Sequence, residues 1–301
     1  VSTSVDATAT IPTTPNEEND MVSNIYEYSR KFGGIKFHPG KVYLLLDLLG
    51  EVCWYCSKRK TVHHVQHTPG ELEKMVLMHH GRCQKCERTR MDMIRDRLYD
   101  FPAVANLVIG QRGGKDILAA LLVGYYNQVS KTVGKLVVCH ANISKSGEWK
   151  ELTQTMHTAG PFPPLFTEGR VLSKTAWQSF PEHPGLLVFN ESAWLEKKDR
   201  SIYNIVPAFE DLRKRMGVQY AVSKRAVANK APETLPAMLV SLTSPRVRGD
   251  ICWYLRDEAV FDHSIYNAWH PVWDVTNLKK SMLTKVHDGD PTAKRDFALE
   301  Y

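Results

Sequence analysis

The sequence predicts an α/β fold: a mostly parallel sheet flanked by helices, preceded by a helical segment that carries metal-type cysteine pairs. Three observations predict it. Short runs that are apolar throughout alternate with helical stretches from about Phe101 onward, the pattern of strands buried on both faces. A glycine-rich turn follows one such strand directly and opens an apolar helix. Upstream, Cys53/Cys56 and Cys83/Cys86 form two C-x-x-C pairs separated by residues 57–82.

The chain of 301 residues is long enough for one large α/β domain with an added module. Hydrophobic residues make up 43%, enough for a sizeable core, and the net charge of +6 fits a nucleic-acid partner without requiring one. No apolar run approaches the roughly 18 residues of a membrane span, so no membrane association is expected. Residues 1–20 are Ser/Thr/Pro-rich and then acidic, which predicts a flexible tail rather than a signal peptide. Of six cysteines, four lie in the pairs, and a reducing compartment with metal rather than disulfides is expected. Cys139 and Cys252 stand alone in apolar surroundings, and Cys139, on an apolar strand, reads as a small core residue and not a nucleophile.

Residues 21–100 form the N-terminal helical segment, with an apolar stretch from Tyr43 to Leu49 and the cysteine element at 53–86. Residues 101–301 form the α/β domain. Its expected strands are Ala103–Ile109, Lys135–Cys139, Gly185–Phe189 and Met238–Leu242. Lys115–Val129 is a nearly all-apolar helix, and Tyr203–Met216 reads as an amphipathic one.

The turn reads Gly110-Gln111-Arg112-Gly113-Gly114-Lys115-Asp116, with Ile117 after it. Glycines let a backbone wrap phosphate oxygens, and the helix N-terminus adds its positive dipole end. Lys115 would reach the β- and γ-phosphates. The string departs from G-x-x-x-x-G-K-[ST] at both ends: Ile109 stands at the first glycine and Asp116 at the hydroxyl residue. The plain alternative is a strand-to-helix turn with a surface lysine.

Leu186-Leu187-Val188-Phe189 ends in Asn190-Glu191. Phosphate-loop ATPases place a carboxylate at such a strand end to hold Mg²⁺ and a second to orient water. Glu191 fits the second role, while Asn190 occupies the metal place where Asp is expected. The two departures compensate: Asp116 brings a carboxylate where a hydroxyl is usual, and Asn190 removes one across the metal. The plain alternative is a buried strand meeting solvent.

With these motifs in order, the chain resembles the N-terminal ATPase domain of phage large terminase subunits. The family's Walker A loop carries an internal arginine, matched by Arg112; its Walker B strand ends Asp-Glu-Ala, similar to Asn190-Glu191-Ser192-Ala193. Its coupling strand resembles Val240-Ser241-Leu242-Thr243-Ser244-Pro245-Arg246, and Phe37-His38-Pro39 is similar to its adenine-side motif without the usual glutamine. Leu136–Asn142 looks like the strand after the phosphate-loop helix, and 290–301 like the stretch before the family's nuclease domain.

The resemblance implies a P-loop fold of the RecA/ASCE-like class and an ATPase that drives double-stranded DNA into a procapsid. The implied partners are the portal protein, the small terminase subunit and further copies in a ring, usually of five. The implied location is the host cytoplasm, transiently on the viral procapsid. No nuclease activity is expected of this chain. Glu191, Lys115 and Arg112 would be catalytic. Gln111, Arg112, Gly113, Gly114, Lys115, Asp116 and Ile117 would contact ATP, Asp116 and Asn190 would hold Mg²⁺, and Thr243 and Ser244 would couple hydrolysis to movement. Arg200, Arg213 and Arg215 are candidate arginine fingers, against the plain reading of solvated cations.

Cys53, Cys56, Cys83 and Cys86 are expected to bind a structural Zn²⁺, four thiolates leaving no open position for water. His63, His64, His67, His79 and His80 could substitute for a thiolate, and unliganded thiols are the alternative. Lys58-Arg59-Lys60 and 82–97 are basic, suited to DNA phosphates or the portal, or to a solvated surface. Trp194, Trp253, Trp269 and Trp273 read as packing residues before base-stacking ones. The acidic groups Asp257-Glu258 and Asp288–Asp290 read as surface. Two other functions compete: a helicase-like nucleic-acid ATPase, and a non-enzymatic ATP-binding zinc module bridging DNA and partner proteins.

Overall fold

The computed structural model describes residues 22–31, 37–57, 75–110, 113–129, 135–140, 151, 170–173, 184–193, 205–229, 235–245, 250–270 and 284–291. The elements run α1 (Ile25–Lys31), α2 (Pro39–Leu48), β1 (Met78–His79), β2 (Arg82–Cys83), α3 (Arg90–Arg95), β3 (Val104–Ile109), α4 (Lys115–Val129), β4 (Lys135–His140) and β5 (Arg170–Ser173). After these come β6 (Pro184–Asn190), α5 (Ile205–Asn229), β7 (Met238–Thr243), α6 (Ile251–Glu258) and β8 (Ile265–His270).

Six strands form one sheet in the order β5-β4-β6-β7-β3-β8, and every described pairing is parallel. The pleat sends alternate side chains to opposite faces. Ala105, Leu107 and Ile109 of β3 and Val240 and Leu242 of β7 pack with Leu118, Leu121 and Leu122 of α4. Val104, Leu187, Phe189 and Leu239 pack instead with Phe209, Leu212 and Met216 of α5 and Ile251 and Leu255 of α6. Both faces are thus covered, which is why these strands read as continuous apolar runs.

The first face is a double layer. Leu44, Leu45 and Leu48 of α2 and Ile25 and Tyr28 of α1 belong to the same cluster as α4 and the sheet. This explains the apolar character of α4 on all sides, since a helix covered all round keeps no polar face. Among the described residues, no helix is long and apolar enough to cross a membrane.

The structure differs from the sequence reading at several elements. Within the segment expected to be helical, Met78–Cys83 is an antiparallel hairpin whose turn, His80 and Gly81, has φ of 47° and 72°. The amphipathic helix expected to stop at Met216 continues to Asn229. Gly217 interrupts its pattern, but an added Cβ there would meet nothing within 4 Å, so the glycine costs only helix propensity. β5, α6 and β8 were not expected. β8 is an edge strand, in which only Ile265 and Ala268 are buried, so the apolar run that marks inner strands is missing.

Candidate functional site

The chain leaves β3 through α4 on one face of the sheet and leaves the adjacent β7 through α6 on the other. Such a switch opens a crevice at the carboxyl ends of the strands, where open α/β sheets bind ligands. The glycine-rich turn lies there. The Gly110 N–H donates to the His270 carbonyl at 3.1 Å, and the Gly113 N–H closes back on the Gly110 carbonyl at 3.1 Å. Gly114 has φ of +68°, the left-handed conformation that suits glycine. The Leu118 N–H then bonds the Gly114 carbonyl at 3.1 Å, starting α4.

Lys115 is only 6% exposed. Its Nζ donates to Ser244 Oγ at 2.7 Å, and Ser244 Oγ donates to the Ile109 carbonyl at 2.8 Å. The same ammonium lies 3.5 Å from Glu191 Oε1. Glu191 has φ of 59°, an uncommon conformation for a non-glycine residue, and its N–H is tied to the Leu242 carbonyl at 2.7 Å. The strain turns the chain at the end of β6, where the carboxylate meets Lys115.

Asn190 is fully buried, Asp116 is exposed on the first turn of α4, and the Asn190 Nδ2 amide donates to Asp116 Oδ1. The two residues that depart from the usual pattern therefore touch. Burial accounts for which is which: an amide loses less on leaving water than a carboxylate, so the charge sits at the exposed position. Thr243 Oγ1 accepts from the Ala193 N–H at 3.2 Å and donates to the Ser244 carbonyl at 3.1 Å, while Ser192 and Ser241 share a hydroxyl hydrogen bond at 2.8 Å. These bonds clip the end of β6 to the end of β7.

Of the residues singled out in the sequence, Lys115, Asp116, Asn190, Glu191, Thr243 and Ser244 thus converge. Gly113 is buried in the turn, and Ile117 Cδ1 lies beside Gly114. Gln111 and Arg112 lie outside the described residues, as do Arg200, Trp194, Trp273 and the side chains of Arg215 and Cys139. Arg213 pairs with Glu210 at 3.2 Å and with Asp262, in the turn that leads into the amino end of β8, so it stands at the amino ends of the strands, away from Lys115 at their carboxyl ends.

One residue of the crevice escaped the sequence reading. Lys41 of α2 is 7% exposed, and its Nζ would lie 2.6 Å from a Cβ built on Gly114. Burial pushes its pKa below the usual lysine value. The available signal was Phe37-His38-Pro39, which opens α2: His38 caps the helix, its Nδ1 accepting from the Gly40 N–H at 3.1 Å.

The sulfurs of Cys53, Cys56, Cys83 and Cys86 lie within 4.8 Å of one another, and the four could hold a metal ion. Cys53–Cys86 and Cys56–Cys83 are 3.6 and 3.8 Å apart. A tetrahedral thiolate site with bonds of about 2.3 Å has edges of about 3.8 Å, whereas a disulfide is about 2.0 Å, so the spacing is compatible with zinc. Burial drives the Cys53 thiol upward, and a cation is what would offset the cost of several thiolates here. Of the histidines, His79 shares a hydrogen bond with Ser23 Oγ at 3.0 Å, His80 is exposed in the hairpin turn, and His63, His64 and His67 are outside the described residues.

The basic stretch nearby is partly neutralised from within. Arg88 pairs with Asp96 at 2.8 Å and stacks on Tyr55, and Arg95 pairs with Asp92 at 3.2 Å. Lys58-Arg59-Lys60 are outside the described residues. Trp253 and Trp269 pack edge to face at 4.8 Å with Arg256 against both rings. Cys252 is buried, with its thiol on Asp250 Oδ1 at 2.7 Å. No family model, curated protein or solved structure matches the chain, so the reading of this site rests on its own residues.

Proposed function

We propose that this chain is an ATP-hydrolysing motor that drives double-stranded DNA into a viral procapsid through the portal, the ATPase part of a large terminase. The observation that carries the ATPase reading is Lys115, a buried ammonium held between Glu191 and Ser244 where β3, β6 and β7 end. Lys115 would pass from Glu191 to the β- and γ-phosphates, freeing the carboxylate to polarise the attacking water. The placement of β7 between β3 and β6 supports the RecA/ASCE-like class. The assignment to DNA packaging rests on the resemblance of the ordered motifs.

Asp116 and Asn190 offer hard oxygen donors side by side, which suits Mg²⁺. Bound there, the ion would neutralise developing charge on the phosphates. The cysteine cluster would hold Zn²⁺ as a structural centre.

The test is Mg²⁺-dependent ATP hydrolysis by the chain, alone and with portal-bearing shells and double-stranded DNA, against Glu191→Gln. The expected result is stimulation by shells and DNA, lost by ~100-fold or more in the variant. The buried strand end offers an amide, Asn190, in place of a carboxylate, and this favours a second reading: an ATP-binding zinc module without turnover. ATP bound but never hydrolysed in any setting would replace the first reading with the second.

A further inference from the structure

One of the two buried ammoniums of the crevice has no described counter-group. Lys115 is engaged by Ser244 and Glu191. Lys41 is equally buried, and while its backbone N–H donates to the His38 carbonyl at 3.0 Å, its ammonium makes no hydrogen bond or ion pair with any described residue. Its position compounds the cost. It is the third residue of α2, a helix with no acidic residue in its first turn, so a cation stands at the positive end of the dipole. The rest of α2 from Val42 to Leu48 is buried, and an apolar residue at position 41 would suit that environment better. Desolvation of the ammonium lowers its pKa, the signature of a charge that the fold itself does not stabilise.

The ammonium is aimed at the backbone of Gly114, the residue before Lys115. A compact cation with three donors, largely withdrawn from water beside a glycine-rich turn, matches a phosphate oxygen. We propose that Lys41 is a second cationic ligand of the bound polyphosphate, supplied by the N-terminal helical layer and not by the sheet domain. The proposal rests on the reading of residues 110–115 as a phosphate loop. It assigns Lys41 to the phosphates and not to the base, so its contribution is blind to base identity.

The experiment is titration calorimetry of the full chain with inorganic tripolyphosphate, ATP and GTP, for the wild type, Lys41→Met and Lys41→Arg, alongside thermal melts. Lys41→Met is expected to weaken all three ligands by one similar factor, on the order of tenfold or more. Its ligand-free melting temperature stays equal or rises, and Lys41→Arg recovers most of the binding. Wild-type affinity for tripolyphosphate in Lys41→Met overturns the proposal while leaving the phosphate loop standing. Loss confined to ATP overturns it in favour of a base contact. A Lys41→Met protein that melts markedly lower or fails to fold overturns it too, because the lysine would then be structural. A wild-type chain that binds none of the three removes the phosphate-loop reading itself.

Discussion

Arg90→Met tests how the cysteine element is joined to the helix that follows the glycine-rich turn. Arg90 opens α3, just after the cysteine hairpin, and is 1% exposed. Its Nη2 lies 3.4 Å from Oε1 of Glu51, which is 0% exposed. The same Oε1 accepts from Tyr125 on α4, and Oε2 accepts from the Ile25 N–H at 2.7 Å. One carboxylate therefore joins α1, α3 and α4. Removing the guanidinium leaves that carboxylate buried without its countercharge, a loss of about 3–5 kcal/mol. At about 2–4 °C per kcal/mol for large domains, the melting temperature falls by roughly 10 °C.

The pH dependence has a definite sign. Burial holds the Glu51 carboxyl above its ordinary value, against the opposing pull of Arg90, Tyr125 and the Ile25 N–H. Between the ordinary and the raised value, the folded chain keeps a proton that the unfolded chain has lost, so stability falls as pH rises through that window. Without Arg90 the raised value climbs further and the window widens. The loss in Arg90→Met is therefore smallest below the ordinary glutamate value and largest at high pH. Adding Glu51→Gln removes the charge, with the amide oxygen accepting from the Ile25 N–H and the amide nitrogen donating to the Tyr125 hydroxyl, and should restore about 2 kcal/mol or more. Melts of the single and double variants across pH make the measurement. A double variant no more stable than Arg90→Met, or a loss independent of pH, would refute the buried-pair argument.

Gly114→Ala places a side chain at a φ of +68° and pushes on Lys41 Nζ; it should cost about 1–2 kcal/mol in a melt and impair tripolyphosphate binding. Gly217→Ala, in an open position of α5, should instead stabilise by about 0.5–1 kcal/mol, and equal effects at the two glycines would contradict the backbone assignment. Colorimetric metal release should find one ion per chain, lost in Cys83→Ser with a fall in melting temperature of several degrees or more; a metal-free chain of unchanged stability would exclude the centre. Asp116→Ala should bind ATP yet lose Mg²⁺-dependent hydrolysis, and wild-type turnover would remove Asp116 from the metal.

Much of the sheet domain was legible in the sequence because its signals are local. The apolar runs at 104–109, 185–190 and 238–243 are buried in strands covered on both faces, and the glycine-rich turn opens α4 at Lys115 as expected. The two C-x-x-C pairs announced four cysteines that could hold a metal ion, and the fold brings their sulfurs within 4.8 Å of one another. β8 was not legible, since an edge strand reading Ile-Tyr-Asn-Ala-Trp-His lacks both an apolar run and clean alternation. The hairpin at Met78–Cys83 was hidden by strands of two residues each, too short to show a period.

The sequence by itself determined the inner strands, the helix that follows the glycine-rich turn and the identity of four metal-type cysteines, because apolar runs and spacing along the chain set those properties. Only the tertiary structure decided the strand order that brings Lys115 to Ser244, 129 residues away, and Asn190 to Asp116, 74 residues away. It also decided that α2, from outside the sheet domain, sets Lys41 against Gly114. Such contacts depend on which faces pack together, and the need of α4 to bury every side is what draws the N-terminal helices against it.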